Sequence, residues 1–160
     1  MTEPAWLIEA RKYIGLKEIP GSAENGTIVQ FWKTIRRGGI KSESVPWCAA
    51  FVGAMLETVG VISTRFESAK SYEKWGVKLD APAVGCVVVF TRDGGGHVGF
   101  VVGQDKAGNL LVLGGNQGDA VNIKTFPRSR VTSYRWPAGI TRPVTNLPLL
   151  ASAEVSKNEA

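Results

Sequence analysis

The hydrophobic period of this chain changes once, at Pro82, and that change limits the architectures open to it. Ahead of Pro82 the apolar residues return every three or four positions, as on the buried face of a helix. Beyond it they come in short Val- and Phe-rich runs separated by turn residues, as in strands. Helices first and an antiparallel meander second is an α+β layout, not an alternation of strand and helix.

The helical pattern predicts helices at about residues 3–14, 25–36 and 46–59, with a further helical piece at about 67–75. In the first, Thr2 is the expected N-cap, Glu3 and Pro4 suit the opening turn, and Gly15 is the terminator. Trp6, Leu7, Ala10, Tyr13 and Ile14 would form its buried face, and Pro20-Gly21-Ser22 a turn after it. The third helix is expected to take Ser44 or Val45 as N-cap and Pro46 as its first residue, where the missing N–H costs nothing. Trp47, Phe51 and Met55 fall four apart, and Cys48, Val52 and Val59 widen the stripe, so this helix should be central. Strands are expected at about 84–91, 97–103, 109–114, 119–125 and 131–136. Turns fall at Asp93-Gly94-Gly95-Gly96 and Asp105-Lys106-Ala107-Gly108. From Val144 the period is lost, which predicts one domain over residues 1–143 and a loosely attached, flexible tail over 144–160.

The chain has 160 residues, enough for one domain with a real core. No apolar run reaches the roughly 18 residues of a membrane span, so no stable membrane insertion is expected. The net charge of +5 favours anionic partners. The charges are scattered, with no basic–aromatic stripe, which argues against nucleic acid. Two cysteines are too few for a disulfide framework. With one histidine and no Cys-x-x-Cys pair, neither a zinc site nor any other metal or cofactor is expected.

Cys86 lies in Val84-Gly85-Cys86-Val87-Val88-Val89-Phe90, a run typical of a buried strand, where cysteine serves as a small hydrophobe. Cys48 is placed differently, within the first turn or so of the third helix. Unpaired N–H groups and the helix dipole stabilise a thiolate there. Taken alone, Trp-Cys-Ala-Ala-Phe fits a nucleophile and a core cysteine alike. His97 is the only histidine and stands between three glycines and Val98-Gly99-Phe100, at a loop-to-strand junction. Any imidazole base must be this one. If the strands near 97–103 and 109–114 form a hairpin, His97 lies opposite Gly115 or Asn116, with the face decided by a single residue of register. Asn116 is then close enough to orient the imidazole, although Gly114-Gly115-Asn116-Gln117-Gly118 also reads as turn chemistry. Trp47 and Gln117 flank these positions and are candidates to line a substrate cleft, although Trp47 reads equally as a core residue. Gly94-Gly95-Gly96-His97-Val98-Gly99 matches G-x-G-x-x-G, with Asp119 at dinucleotide-site spacing. That motif must open a helix, and a strand pattern follows here instead.

The stretches WLIEARKYIGLKEIPG (Trp6 to Gly21), PWCAAFV (Pro46 to Val52), GHVGFVV (Gly96 to Val102), GGNQGDAV (Gly114 to Val121) and RWP (Arg135 to Pro137) resemble the CHAP-type hydrolases, the cysteine- and histidine-dependent amidohydrolases/peptidases. More narrowly they are similar to a small phage-associated branch of that papain-like group. The resemblance implies a papain-like fold with N-terminal helices packed on a C-terminal antiparallel sheet. It further implies hydrolysis of a peptidoglycan amide, with Cys48 as nucleophile, His97 as base and Asn116 as orienting residue. Relatives often carry Asp at the position of Cys86 and Glu at that of Gly114, so here the third role rests on Asn116 alone. The expected partner is bacterial peptidoglycan and the expected state a monomer. Met1-Thr2-Glu3-Pro4 has neither the basic nor the apolar region of a secretory signal. A protein made in a host cytoplasm and brought to the wall by release or by another system is therefore expected, as a phage endolysin or tail-associated lysin. An antibacterial amidase effector and a catalytically idle wall-binding or virion module are the alternatives.

Overall fold

The computed structural model describes residues 3–18, 26–40, 45–92, 94–143 and 145–150. Three α-helices come first among them: α1 (Ala5–Arg11), α2 (Gly26–Thr34) and α3 (Cys48–Thr58). A 3₁₀ segment, Ala69–Lys74, leads into six strands: β1 (Val77–Leu79), β2 (Val87–Arg92), β3 (Gly95–Gln104), β4 (Leu110–Gly114), β5 (Asn122–Phe126) and β6 (Val131–Trp136). The sheet order is β1-β6-β2-β3-β4-β5, with every neighbouring pair antiparallel. The fold is therefore α+β and papain-like, with the helical layer ahead of the sheet in sequence.

α3 is the centre of that layer and packs on α1, α2 and β3. All nine residues from Cys48 to Leu56 are buried, as its near-continuous apolar circumference predicts. Gly53 lets α2 approach: a Cβ there would stand 2.6 Å from Cγ2 of Ile35. α1 is shorter than expected. It starts after Pro4, which takes the N-cap place assigned to Thr2, and Thr2 lies outside the described residues. Its hydrogen bonds turn to an i→i−3 pattern at Lys12, Tyr13 and Ile14. Ile14 therefore leaves the buried face and is 44 % exposed, while Trp6, Leu7 and Ala10 stay in the core. The Trp6 indole N–H reaches the carbonyl of Gly85 and ties α1 to the lead-in of β2.

α3 begins two residues later than its sequence pattern predicts. Trp47, with φ −111° and ψ 16°, is the N-cap residue, and Cys48 is the first helical residue. Val45 and Pro46 precede the helix, and Ser44 lies outside the described residues, as do Pro20-Gly21-Ser22 and Asp93. The glycine run near residue 95 enters a strand and not a helix, so no phosphate-binding helix start exists there. β1 was not predicted, because three residues show too little alternation to be read.

The sheet curls strongly. Three inter-strand steps separate β2 from β5, about 14 Å across a flat sheet. Yet the ring centroids of Phe90 in β2 and Phe126 at the end of β5 are 4.5 Å apart. Register shifts between Val101 and Gly103, and between Val89 and Phe90, mark irregularities of the kind that bend strands. Residues 145–150 lie against the end of β3. Gln104 donates its backbone N–H to Pro148 and accepts that of Leu150, and Leu147 is buried. Position 144 and residues 151–160 lie outside the described residues.

Candidate active site

Two elements deliver the chemistry. α3 presents Cys48 at its first turn, and β3 presents His97 three residues into the strand. β4 pairs with β3 no further than Leu113 opposite Phe100. The Cys48 thiol lies near the Val98 amide, in the peptide that joins His97 to Val98, and that N–H favours its thiolate. Cys48 is 4 % exposed and His97 1 %.

Burial pushes the Cys48 thiol above the ordinary cysteine range, and it outweighs everything that opposes it. The N–H of Val98, the charge of Arg92 and the N–H groups of Ala49 and Cys48 itself all favour the thiolate. The helix start thus acts in the direction the sequence predicts, but desolvation is larger. Cys86 is fully buried as expected of a strand cysteine, and burial pushes its thiol up to about 12.

The sequence places His97 at a loop-to-strand junction beside bare backbone; its ring lies in an aromatic cluster. The imidazole runs nearly parallel to the ring of Phe126 (centroids 5.4 Å apart, 13° between planes) and to that of Phe90 (6.2 Å, 23°). The guanidinium of Arg130 covers the Phe126 ring at 5.5 Å. The curl of the sheet makes this cluster, since it carries the end of β5 round to β2. The sequence offers little warning of it, because Phe90 and Phe126 each look like ordinary strand apolar residues.

Nε2 of His97 is 3.0 Å from Oε1 of Gln117. Gln117, expected to line a cleft, is 1 % exposed and makes this contact from within the fold. Extending the β3–β4 register does bring His97 level with Asn116, but β4 has already ended at Gly114. Asn116 adopts a left-handed backbone (φ 59°), which asparagine tolerates better than most residues, and is buried. The side chain at Nε2 is that of Gln117, the residue after Asn116. Trp47 follows the core reading. It is fully buried, donates its indole N–H to Glu18 at 2.6 Å, and stacks near Phe31.

Gly114 and Gly115 fit the two faces of this layer. A Cβ on Gly115 would touch Trp47 and Phe51, on the α3 side. One on Gly114 would collide with Oε1 of Gln117 and stand 3.5 Å from Nε2 of His97. Among the described residues no three His, Cys, Asp or Glu side chains gather to hold a metal ion. An open groove of about 400 Å³ lies near the far end of α3, lined by Val61, Trp75 and Pro137, away from the Cys48–His97 region.

The family model for the CHAP domain matches residues 40–116, a stretch that starts ahead of α3, includes Cys48 and His97, and ends at Asn116. No curated protein matches the chain. Over residues 40–116 the chain is similar to CHAP domains, and this match supports a function of the cysteine- and histidine-dependent amidohydrolase or peptidase type that acts on peptidoglycan.

Proposed function

We propose that this protein cleaves an amide bond of bacterial peptidoglycan with Cys48 as nucleophile and His97 as base. The observation that carries the reading is the placement of Cys48 at the first residue of α3, packed on β3 near the Val98 amide that follows His97. Gln117 occupies Nε2, so Nδ1 is the nitrogen that serves the sulfur. Nδ1 takes the thiol proton as sulfur attacks the amide carbonyl, and returns it to the departing amine. Water, deprotonated by the same nitrogen, then releases the acyl group from sulfur. The N–H of Cys48, at the first helical position, is the natural first donor to the oxyanion.

Burial sets a condition on this chemistry. Burial favours the neutral thiol, and Cys48 is only 4 % exposed, so attack requires the sulfur to become accessible to the substrate carbonyl. The net charge of +5 suits an anionic wall polymer. A monomeric lysin carried by a phage, or released through a lesion in the host membrane, is the role we favour; an injected antibacterial amidase would use the same site. The burial of both side chains also favours one rival, a wall-binding module that keeps the fold without turnover. Mass spectrometry of soluble products from purified peptidoglycan separates them. Peptides or peptide-free glycans bearing new amide-derived termini support the proposal, and new reducing sugar ends or no products overturn it.

A further inference from the structure

The amide of Gln117 can face only one way. Its Nε2 donates to the carbonyl of Val112 at 3.2 Å, the carbonyl of Asn122 at 2.9 Å and Oδ1 of Asn122 at 3.0 Å. Turning the amide over would set its oxygen against three other oxygens and its donor end against His97. Asn122 completes the clamp by donating its own side-chain N–H to the backbone carbonyl of Gln117 at 2.8 Å. The backbone N–H of Gln117 is held by Ala120. Oε1, which only accepts, therefore points at Nε2 of His97 from a fixed frame.

We propose that Gln117 is the positioning residue for His97, holding the neutral imidazole as the Nε2–H tautomer, and that Asn122 locks Gln117 in that role. The proposal rests on the reading of His97 as the base. It gives that base its polarity: with the proton on Nε2, the lone pair of the neutral ring is on Nδ1, where a thiol proton can be taken. The clamp works without charge, because an amide fixes the tautomer where a carboxylate would also stabilise the imidazolium. Its space comes from Gly114, since any side chain at that position would start where the Gln117–His97 contact lies. Among the described residues, the titratable and charged groups near this region include Cys48 from α3, Arg92 at the end of β2, and Arg130 over the Phe126 and Phe90 rings.

His97 is the only histidine in the chain, so an imidazole ¹⁵N–¹H spectrum of the whole protein reports one ring. At mildly alkaline pH the wild type should show Nε2 protonated and Nδ1 bare. Gln117→Met keeps the bulk and removes the acceptor. It should lose that tautomer preference and lower kcat by about tenfold or more, with KM nearly unchanged. Gly114→Ala leaves both partners present but crowds their contact, and should shift the same signals. Neutral His97 protonated on Nδ1 in the wild type overturns the proposal without any variant. So does a folded Gln117→Met protein that keeps both the wild-type ring spectrum and its kcat. The spectrum needs no substrate, so a protein that shows the Nε2–H ring yet releases nothing from peptidoglycan contradicts the hydrolase reading and leaves the clamp standing.

Discussion

The thiol of Cys48, at the start of α3, lies close enough to the Val98 amide of β3, one residue past His97, for that N–H to favour its thiolate. Backbone donors and the Arg92 charge favour the thiolate there, whereas Cys86 has burial pushing it up to about 12 with one weak donor, the N–H of Ala83. Iodoacetamide should therefore label Cys48 ahead of Cys86, at rates that rise with pH as the thiolate fraction grows. Arg92→Gln removes a charge that lowers the thiol's pKa, so Cys48 should label severalfold more slowly at a given pH. Peptide mass spectrometry over a time course reads both, and Cys86 labelling first would contradict the site.

The aromatic cluster around His97 predicts a coupled loss of stability and turnover. Phe126 is fully buried against both the Phe90 and His97 rings. Phe126→Leu leaves a gap beside the imidazole and should cost about 1–2 kcal/mol. For a chain of this size that lowers Tm by about 3–8 °C. kcat should fall by about tenfold or more, because a base displaced by a fraction of an ångström loses its alignment. Thermal unfolding followed by circular dichroism and assay of the surviving folded protein separate the two effects.

Glu57, near the end of α3, governs a stability that depends on pH. Burial alone would raise its carboxyl, but hydrogen bonds from Arg65 and from the amide and hydroxyl of Ser63 hold it below the ordinary 4.5. A group depressed in the folded state stabilises above its unfolded pKa, and that contribution fades as pH falls through the folded value. Glu57→Gln should thus cost about 1–2 kcal/mol at neutral pH, and the gap to wild type should close below 4.5. Urea unfolding at the two conditions measures it; an equal gap in acid would contradict the assignment.

Much of this architecture is legible in the sequence, because it depends on periodicity. α3 is central since its apolar residues cover most of its surface, and the register of β3 on β4 follows from the turn between them. Cys48 and His97 could be picked out by residue type and by their position at element starts. What could not be read depends on geometry that one strand does not encode. The contact of Gln117 with Nε2 of His97 depends on the conformation of the turn after β4, where Asn116 is left-handed, and no strand pattern encodes it. The curl that brings Phe126 against His97 arises from the twist and bulges of several strands together. Trp47 reads equally in the sequence as a cleft residue beside Cys48 or as core; consecutive residues at a helix start face different ways, and Trp47 faces the core.

The central claim, that Cys48 carries out the hydrolysis, is tested most directly by following new amino groups or new amide-derived termini released from purified peptidoglycan. Wild type, Cys48→Ala and His97→Ala are compared at equal folded concentration. The account predicts release by the wild type, with a loss of about 10³-fold or more in each variant. Equal release by Cys48→Ala and wild type would contradict it.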